Sequence, residues 1–171
     1  MIQDYEEKQQ LVDIRFRAMN ILAGREHSIF ELQTKLSNKL KGKLSQQGDE
    51  SNLDKSLLDR QITIVLKQLI ADDLLNEERF TDCFVRSRIK RGSGPVKIRY
   101  ELMERGISNE LCDVYLETSY EFWEQHISAV HEKRFGVERP KDYKQQAKQS
   151  RFLYQRGFSS EFIRRLFLND F

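Results

Sequence analysis

Residues 86–107 read RSRIKRGSGPVKIRYELMERGI, in the order of a helix end, a short break and a new helix. Arg88, Lys90 and Arg91 close the first helix, where cations suit the negative end of the macrodipole. Gly92 fits the left-handed C′ position that stops a helix. Gly94 stands as N-cap and Pro95 as the first helical residue, where a missing N–H costs nothing and φ is already helical. Ile98 and Leu102 make an i, i+4 apolar pair, and Gly106 ends the second helix. Arg86, Arg88, Lys90, Arg91, Lys97, Arg99 and Arg105 outnumber Glu101 and Glu104.

Outward from this stretch the same grammar continues. Only Pro95 and Pro140 interrupt the 171 residues, and β-branched runs are scarce, so the expected fold is all-α. Charged residues reach 33%, yet the apolar 39% is periodic, which argues for a packed chain rather than disorder. The formal net charge is only +2, so overall basicity says nothing about nucleic acid. Its distribution says more. Residues 102–132 carry Glu104, Glu110, Asp113, Glu117, Glu121, Glu124 and Glu132 against Arg105 alone, with basic bands at 86–99 and 133–165. Such bands can steer an acidic partner.

Residues before about Gln9 read as frayed. Leu11, Ile14, Ala18, Ile21 and Leu22 then follow helical spacing. Ser28 and Glu31 form a capping box for a helix whose core face is Leu32, Leu36 and Leu40. Polar residues 43–52 read as a loop after Gly42. Asp54 opens a helix with Leu58, Ile62, Val65, Leu66 and Leu69 inward. Asn76 caps the next, with Phe80, Cys83 and Phe84 as its core face. After the Gly94–Arg105 helix, Ser108 caps one with Leu111, Val114 and Tyr115 inward. A longer helix bears Trp123, Ile127 and Val130 and ends at Gly136. Residues 141–156 and 160–168 supply the eighth and ninth helices.

Nine helices fall into three sets of three, and an internal repeat supports this. Arg105-Gly106-Ile107-Ser108 returns as Arg156-Gly157-Phe158-Ser159, and Lys97 and Leu102 as Lys148 and Leu153. Ser28, Leu32 and Leu36 match Gly94, Ile98 and Leu102 less well, across the 43–52 loop. Each set is too small to bury a core alone, so an elongated array of packed neighbours is expected.

Catalytic signals are missing from the pattern. The Gly92–Gly94 turn lacks the lysine and hydroxyl of a phosphate loop and follows no strand. Asp72, Asp73, Glu77 and Glu78 flank a helix start, where acids belong. His126 and His131 are five apart, off the i, i+4 spacing of a helical metal pair, and His27 sits in a turn. No serine or cysteine carries a nucleophile motif. Cys83 and Cys112 are expected as buried free thiols in a reducing compartment. The opening ten residues are polar and acidic, and no apolar run approaches the roughly 20 residues of a membrane span, so a cytoplasmic protein is expected. No catalytic, cofactor-binding or metal-binding residue is assigned, and no cofactor.

Gly92-Ser93-Gly94-Pro95, Ile98, Glu101-Leu102 and Arg105-Gly106-Ile107 resemble the RecX family, the bacterial regulators of the RecA recombinase. Leu75-Asn76-Glu77-Glu78-Arg79-Phe80 resembles the family's leucine, acid, Arg-Phe signature, and Arg25-Glu26-His27-Ser28 with Glu31-Leu32 and Leu36 its first-repeat signature. Thr81 departs from the family's usual alanine. The resemblance implies an elongated array of three tandem three-helix units, at 1–75, 76–119 and 120–171. A monomer is expected, and the resemblance implies that it lies in the groove of RecA filaments on single-stranded DNA. There it would restrain filament growth, ATP hydrolysis, strand exchange and SOS coprotease activity. The candidate contacts are Arg86, Arg88, Lys90, Arg91, Lys97, Arg99, Arg105, Lys148, Arg151 and Arg156, with Lys141, Lys144, Arg164 and Arg165 beside them. Arg88, Lys90 and Lys97 are expected to be exposed. The alternative is a helix-turn-helix-like protein acting directly on duplex DNA, which needs one recognition helix aimed at a major groove.

Overall fold

Helical periodicity becomes nine helices among the described residues: α1 (Ile2–Leu22), α2 (Ile29–Gln46), α3 (Asn52–Ala71), α4 (Glu77–Lys90), α5 (Pro95–Met103), α6 (Asn109–Leu116), α7 (Tyr120–Phe135), α8 (Tyr143–Gln155) and α9 (Ser160–Leu168). The structure, a computed structural model, describes residues 2–46, 52–117, 119–138 and 140–168, with side chains in 5–42, 55–117, 119–138 and 140–168. No strand occurs among them. The chain divides into two compact units, Met1–Phe80 and Thr81–Phe171, and the boundary falls inside α4.

The first unit is built on α1, α2 and α3. Ile14, Ala18, Leu32, Leu36, Ile62, Val65, Leu66, Leu69 and Leu75 form its core, with Leu11, Ile21, Leu22 and Leu40 packed against it. All but Leu75 are positions the apolar spacing marks. Ser28, itself buried, accepts the Glu31 N–H at 3.0 Å, as a capping box requires. His27 is buried beside it. Its Nδ1 donates to the Arg25 carbonyl at 2.9 Å, and its Nε2 accepts from the Lys35 ammonium at 2.8 Å. The imidazole is therefore neutral, and burial holds its pKa below the usual value.

Two expectations fail in this unit. Helix α1 begins at Ile2, so the start of the chain is helical where fraying was expected. Helix α2 runs through Gly42 to Gln46, although a loop was expected from residue 43. A Cβ at Gly42 would meet nothing within 4 Å, so the residue sits on an open face. A glycine there weakens the helix by about 1 kcal/mol without stopping it. The rest of that loop, residues 47–51, lies outside the described residues.

The second unit holds most of α4 and all of α5 to α9. Its interior contains Val85, Ile98, Leu102, Ile107, Cys112, Leu116, Trp123, Ile127, Leu153, Phe158 and Ile163. Trp123 Nε1 donates to the Leu116 carbonyl at 3.4 Å, and His131 Nε2 meets Gln149 Oε1 at 2.8 Å in the interior. The repeat is visible in the backbone: Ile107 N–H donates to Leu102 O and Phe158 N–H to Leu153 O, both at 3.2 Å. Gly106 and Gly157 stand at φ 78° and 89° in the two turns. Ser108 and Ser159 then cap α6 and α9.

Cys83 is exposed, contrary to expectation, whereas Cys112 is buried and its thiol is pushed up by burial. The inward arc of α4 is Phe80, Phe84, Thr81 and Val85, about 140° wide at 100° per residue, and position 83 falls outside it. Val114 is likewise 70% exposed, and α6 turns Cys112 and Leu116 inward instead.

Candidate functional site

The turn between α4 and α5 takes the conformation its glycines allow. Gly92 has φ 78°, and Ser93 N–H donates to the Arg88 carbonyl at 3.0 Å, closing the helix end. Gly94 is the N-cap of α5 and Pro95 follows it, but Gly94 offers no side-chain cap. Main-chain carbonyls from the end of α8 take that role. Gly94 N–H donates to Arg156 O at 2.7 Å and Val96 N–H to Gly157 O at 3.1 Å. In return, Arg156 Nη1 donates to the Arg91 carbonyl at 2.9 Å and caps the C-terminus of α4. The approach is close enough to exclude side chains. A Cβ at Gly94 would lie 2.4 Å from Gly157 O, and one at Gly157 would lie 2.2 Å from Lys97 Cβ. We call this reciprocal pairing of turns the clasp.

The clasp sets α4 against α7 and α8, and between them opens a groove of about 500 Å³. Lys90, Arg91, Lys133, Arg134 and Arg156 line it, and no aspartate or glutamate does. Ile89, Ala129, Val130 and Phe152 supply apolar lining, and His126 reaches it from α7. His126 Nε2 donates to the Ser93 carbonyl at 3.2 Å. Burial lowers its pKa, and that hydrogen bond opposes the shift. The Arg156 guanidinium covers the Phe152 ring at 5.1 Å from its centroid. Five cations with no carboxylate repel one another and concentrate a positive field in a concave, partly apolar space.

The ten basic residues singled out by sequence do not form one surface. Lys90, Arg91 and Arg156 line the groove. Arg88 does not stand free, as had been expected. Its side chain is 21% exposed, its Nε lies 2.5 Å from Glu101 Oε2, and its guanidinium sits 4.6 Å over the Phe84 ring. The charges pair although the N–H is not aligned as a hydrogen bond. Arg105 covers the same ring at 4.8 Å and donates to the Glu101 carbonyl. Arg99 pairs with Asp113 at 2.5 Å, and Arg86 with Asp82 at 2.9 Å one turn away. Lys97 is exposed on α5, and Lys148 and Arg151 on α8. Arg165 is held by Glu124 at 3.7 Å and Glu161 at 3.3 Å.

Lys133 and Arg134 belong to the groove but were not singled out. Their signal was available. They close α7 just before Gly136, as Arg88 and Lys90 close α4 before Gly92. Among the described residues no group of three or more His, Cys, Asp or Glu could hold a metal ion. None of the described helices is long and apolar enough to cross a membrane.

Comparison with known proteins places these features in a family. Residues 76–116 match the family model described as RecX, second three-helix domain, and residues 124–167 that described as RecX, third three-helix domain. The regulatory protein RecX of Halorhodospira halophila is 36% identical over 151 residues, 88% of this chain and 84% of that protein. That of Pseudomonas entomophila is 37% identical over 155 residues, 91% of this chain and 90% of the relative. The crystal structure of RecX from Lactobacillus salivarius has the same fold, with a TM-score of 0.69 at 20% identity over 95% of this chain and 97% of that one.

Proposed function

The chain belongs to the RecX family of regulatory proteins, and we propose from that premise that it binds RecA filaments formed on single-stranded DNA and restrains them. Restraint here means slower filament growth, ATP hydrolysis and strand exchange, and less SOS coprotease activity. The observation that carries this reading is the groove with five cations and no carboxylate. Three three-helix units, 1–75, 76–119 and 120–171, would act along the filament as a monomer in the cytoplasm. Regulation of this kind works by occupancy. It needs a surface complementary to the filament and no catalytic residue. Exposed Lys97, Lys148 and Arg151 extend the positive surface beyond the groove.

The test is RecA ATPase on single-stranded DNA, titrated with the full chain, beside a gel shift on duplex DNA without RecA. Inhibition at concentrations that leave duplex DNA unshifted is the expected result. A duplex shift with unaltered ATPase would overturn the reading in favour of direct action on duplex DNA.

A further inference from the structure

We propose that the groove between α4, α7 and α8 docks an acidic polypeptide segment bearing apolar side chains, and that nucleic acid is not its occupant. This deepens the function proposed above, by naming the kind of partner one site takes. Charge selects an anion: Lys90 and Arg91 from α4, Lys133 and Arg134 from α7, and Arg156 after α8 converge with no carboxylate among them. The C-terminus of α4 would otherwise present a negative dipole end to the ligand. The Arg156 guanidinium on the Arg91 carbonyl, at 2.9 Å, offsets it.

The lining then separates two kinds of anion. A single nucleic acid strand held in a basic groove gains most from stacking its bases on open aromatic faces. Phe152 has Arg156 over its ring and Phe135 perpendicular to it at 5.3 Å, and His126, the other ring in the lining, stacks on Phe122 at 6.0 Å, so both are already partnered. What the groove does offer beside its cations is aliphatic surface, from Ile89, Ala129 and Val130. An acidic segment with one apolar side chain per turn meets both demands, with carboxylates on the rim and the apolar group on the floor. The volume of about 500 Å³ accommodates a few side chains.

The experiment is fluorescence anisotropy on the full chain with three labelled probes. One is a glutamate-rich helical peptide of about 20 residues with a leucine every turn. The second has serine in place of each leucine. The third is an oligothymidylate of equal length. Expected is binding of the leucine peptide, weakened about tenfold by the serine exchange and again about tenfold by Lys133→Glu with Arg134→Glu at unchanged circular dichroism. If that pair unfolds the protein, Lys133→Gln with Arg134→Gln serves, and a smaller loss in the same direction is expected. Equal affinity for the leucine and serine peptides overturns the proposal, as does no binding of either. So does oligothymidylate binding that falls with the same substitutions as much as peptide binding does. No probe contains RecA, so ATPase inhibition that persists while the peptide fails to bind removes this inference and leaves the family reading standing.

Discussion

Gly94, Gly157 and Gly136 test the same substitution against three surroundings. At Gly94 a Cβ would lie 2.4 Å from a main-chain oxygen, and at Gly157 2.2 Å from Lys97 Cβ. Main chain cannot yield as a side-chain tip does, so Gly94→Ala and Gly157→Ala should each lower the unfolding free energy by about 3 kcal/mol. Gly136 has φ 81° and ψ −178°, a region essentially reserved for glycine, but open space around it, so Gly136→Ala should cost only the backbone strain, about 2 kcal/mol. Urea denaturation followed by the fluorescence of Trp123, the only tryptophan and buried in the second unit, measures all three. Near-identical stability of the Gly94 and Gly136 variants would show that the clasp tolerates a side chain. Pro95 made the N-cap role of Gly94 legible in the sequence. Gly157 was legible only as part of the repeat, and its pairing with Gly94 was not, because a main-chain contact across that separation leaves no residue-type signature.

His126 and His27 give the pH dependence at the same scale. Burial lowers both from the ordinary 6.5. Below that value the unfolded chain binds protons that the folded imidazoles refuse, so stability is full above 6.5 and falls as pH drops toward the folded values. The urea midpoint read through Trp123 should therefore fall between about pH 7.5 and about pH 5.5, and His126→Gln should flatten that fall. A midpoint that rises on acidification would contradict the burial of neutral histidine.

Helix α4 shows how far periodicity carries an element and where it stops. Asn76 Oδ1 accepts the Arg79 N–H at 2.9 Å at its start, and Gly92 ends it, as the residue types indicate. Its inner face was misplaced. Phe80 and Phe84 fix one edge of the buried arc, and the apolar spacing continued from them to Cys83 when the polar Thr81 takes the other side. Charge was misjudged for a related reason. Arg88 and Lys90 look alike in sequence, but Arg88 points toward Phe84 and Glu101 and Lys90 toward solvent. Arg88→Glu would set two carboxylates together in a half-buried place and should cost about 3 kcal/mol. Lys90→Glu should change stability by only about 0.5 kcal/mol. Denaturation of the two variants side by side decides it, and equal losses would mean the Arg88–Glu101 pair contributes nothing.

For the whole molecule, a net charge of +2 conceals strong local asymmetry. A salt titration reads the local field rather than the total. If the groove carries the contact, inhibition of RecA ATPase should weaken as salt rises from about 50 mM to about 200 mM. The variant Lys90→Glu with Lys133→Glu should inhibit about tenfold less at low salt and show a flatter salt response. Inhibition by that folded variant equal to wild type at both salts would move the contact to Lys148 and Arg151 on α8. The all-α fold and its repeat could be read from spacing, since most of the helices, though not the start of α1 or the end of α2, announce their own ends. The groove could not, because its cations come from three helices and meet only once the clasp has formed.

The clasp also has an order in time. A ribosome makes the Arg91 carbonyl 65 positions before the Arg156 that caps it. The amides of Gly94 and Val96 wait almost as long for the carbonyls of Arg156 and Gly157. Helices α4 and α5 therefore emerge with their junction open, and it closes only after α8 has been synthesised. Until then the nascent chain has neither its finished turn nor its groove, and a partner that recognises the groove meets only molecules whose α8 is already in place.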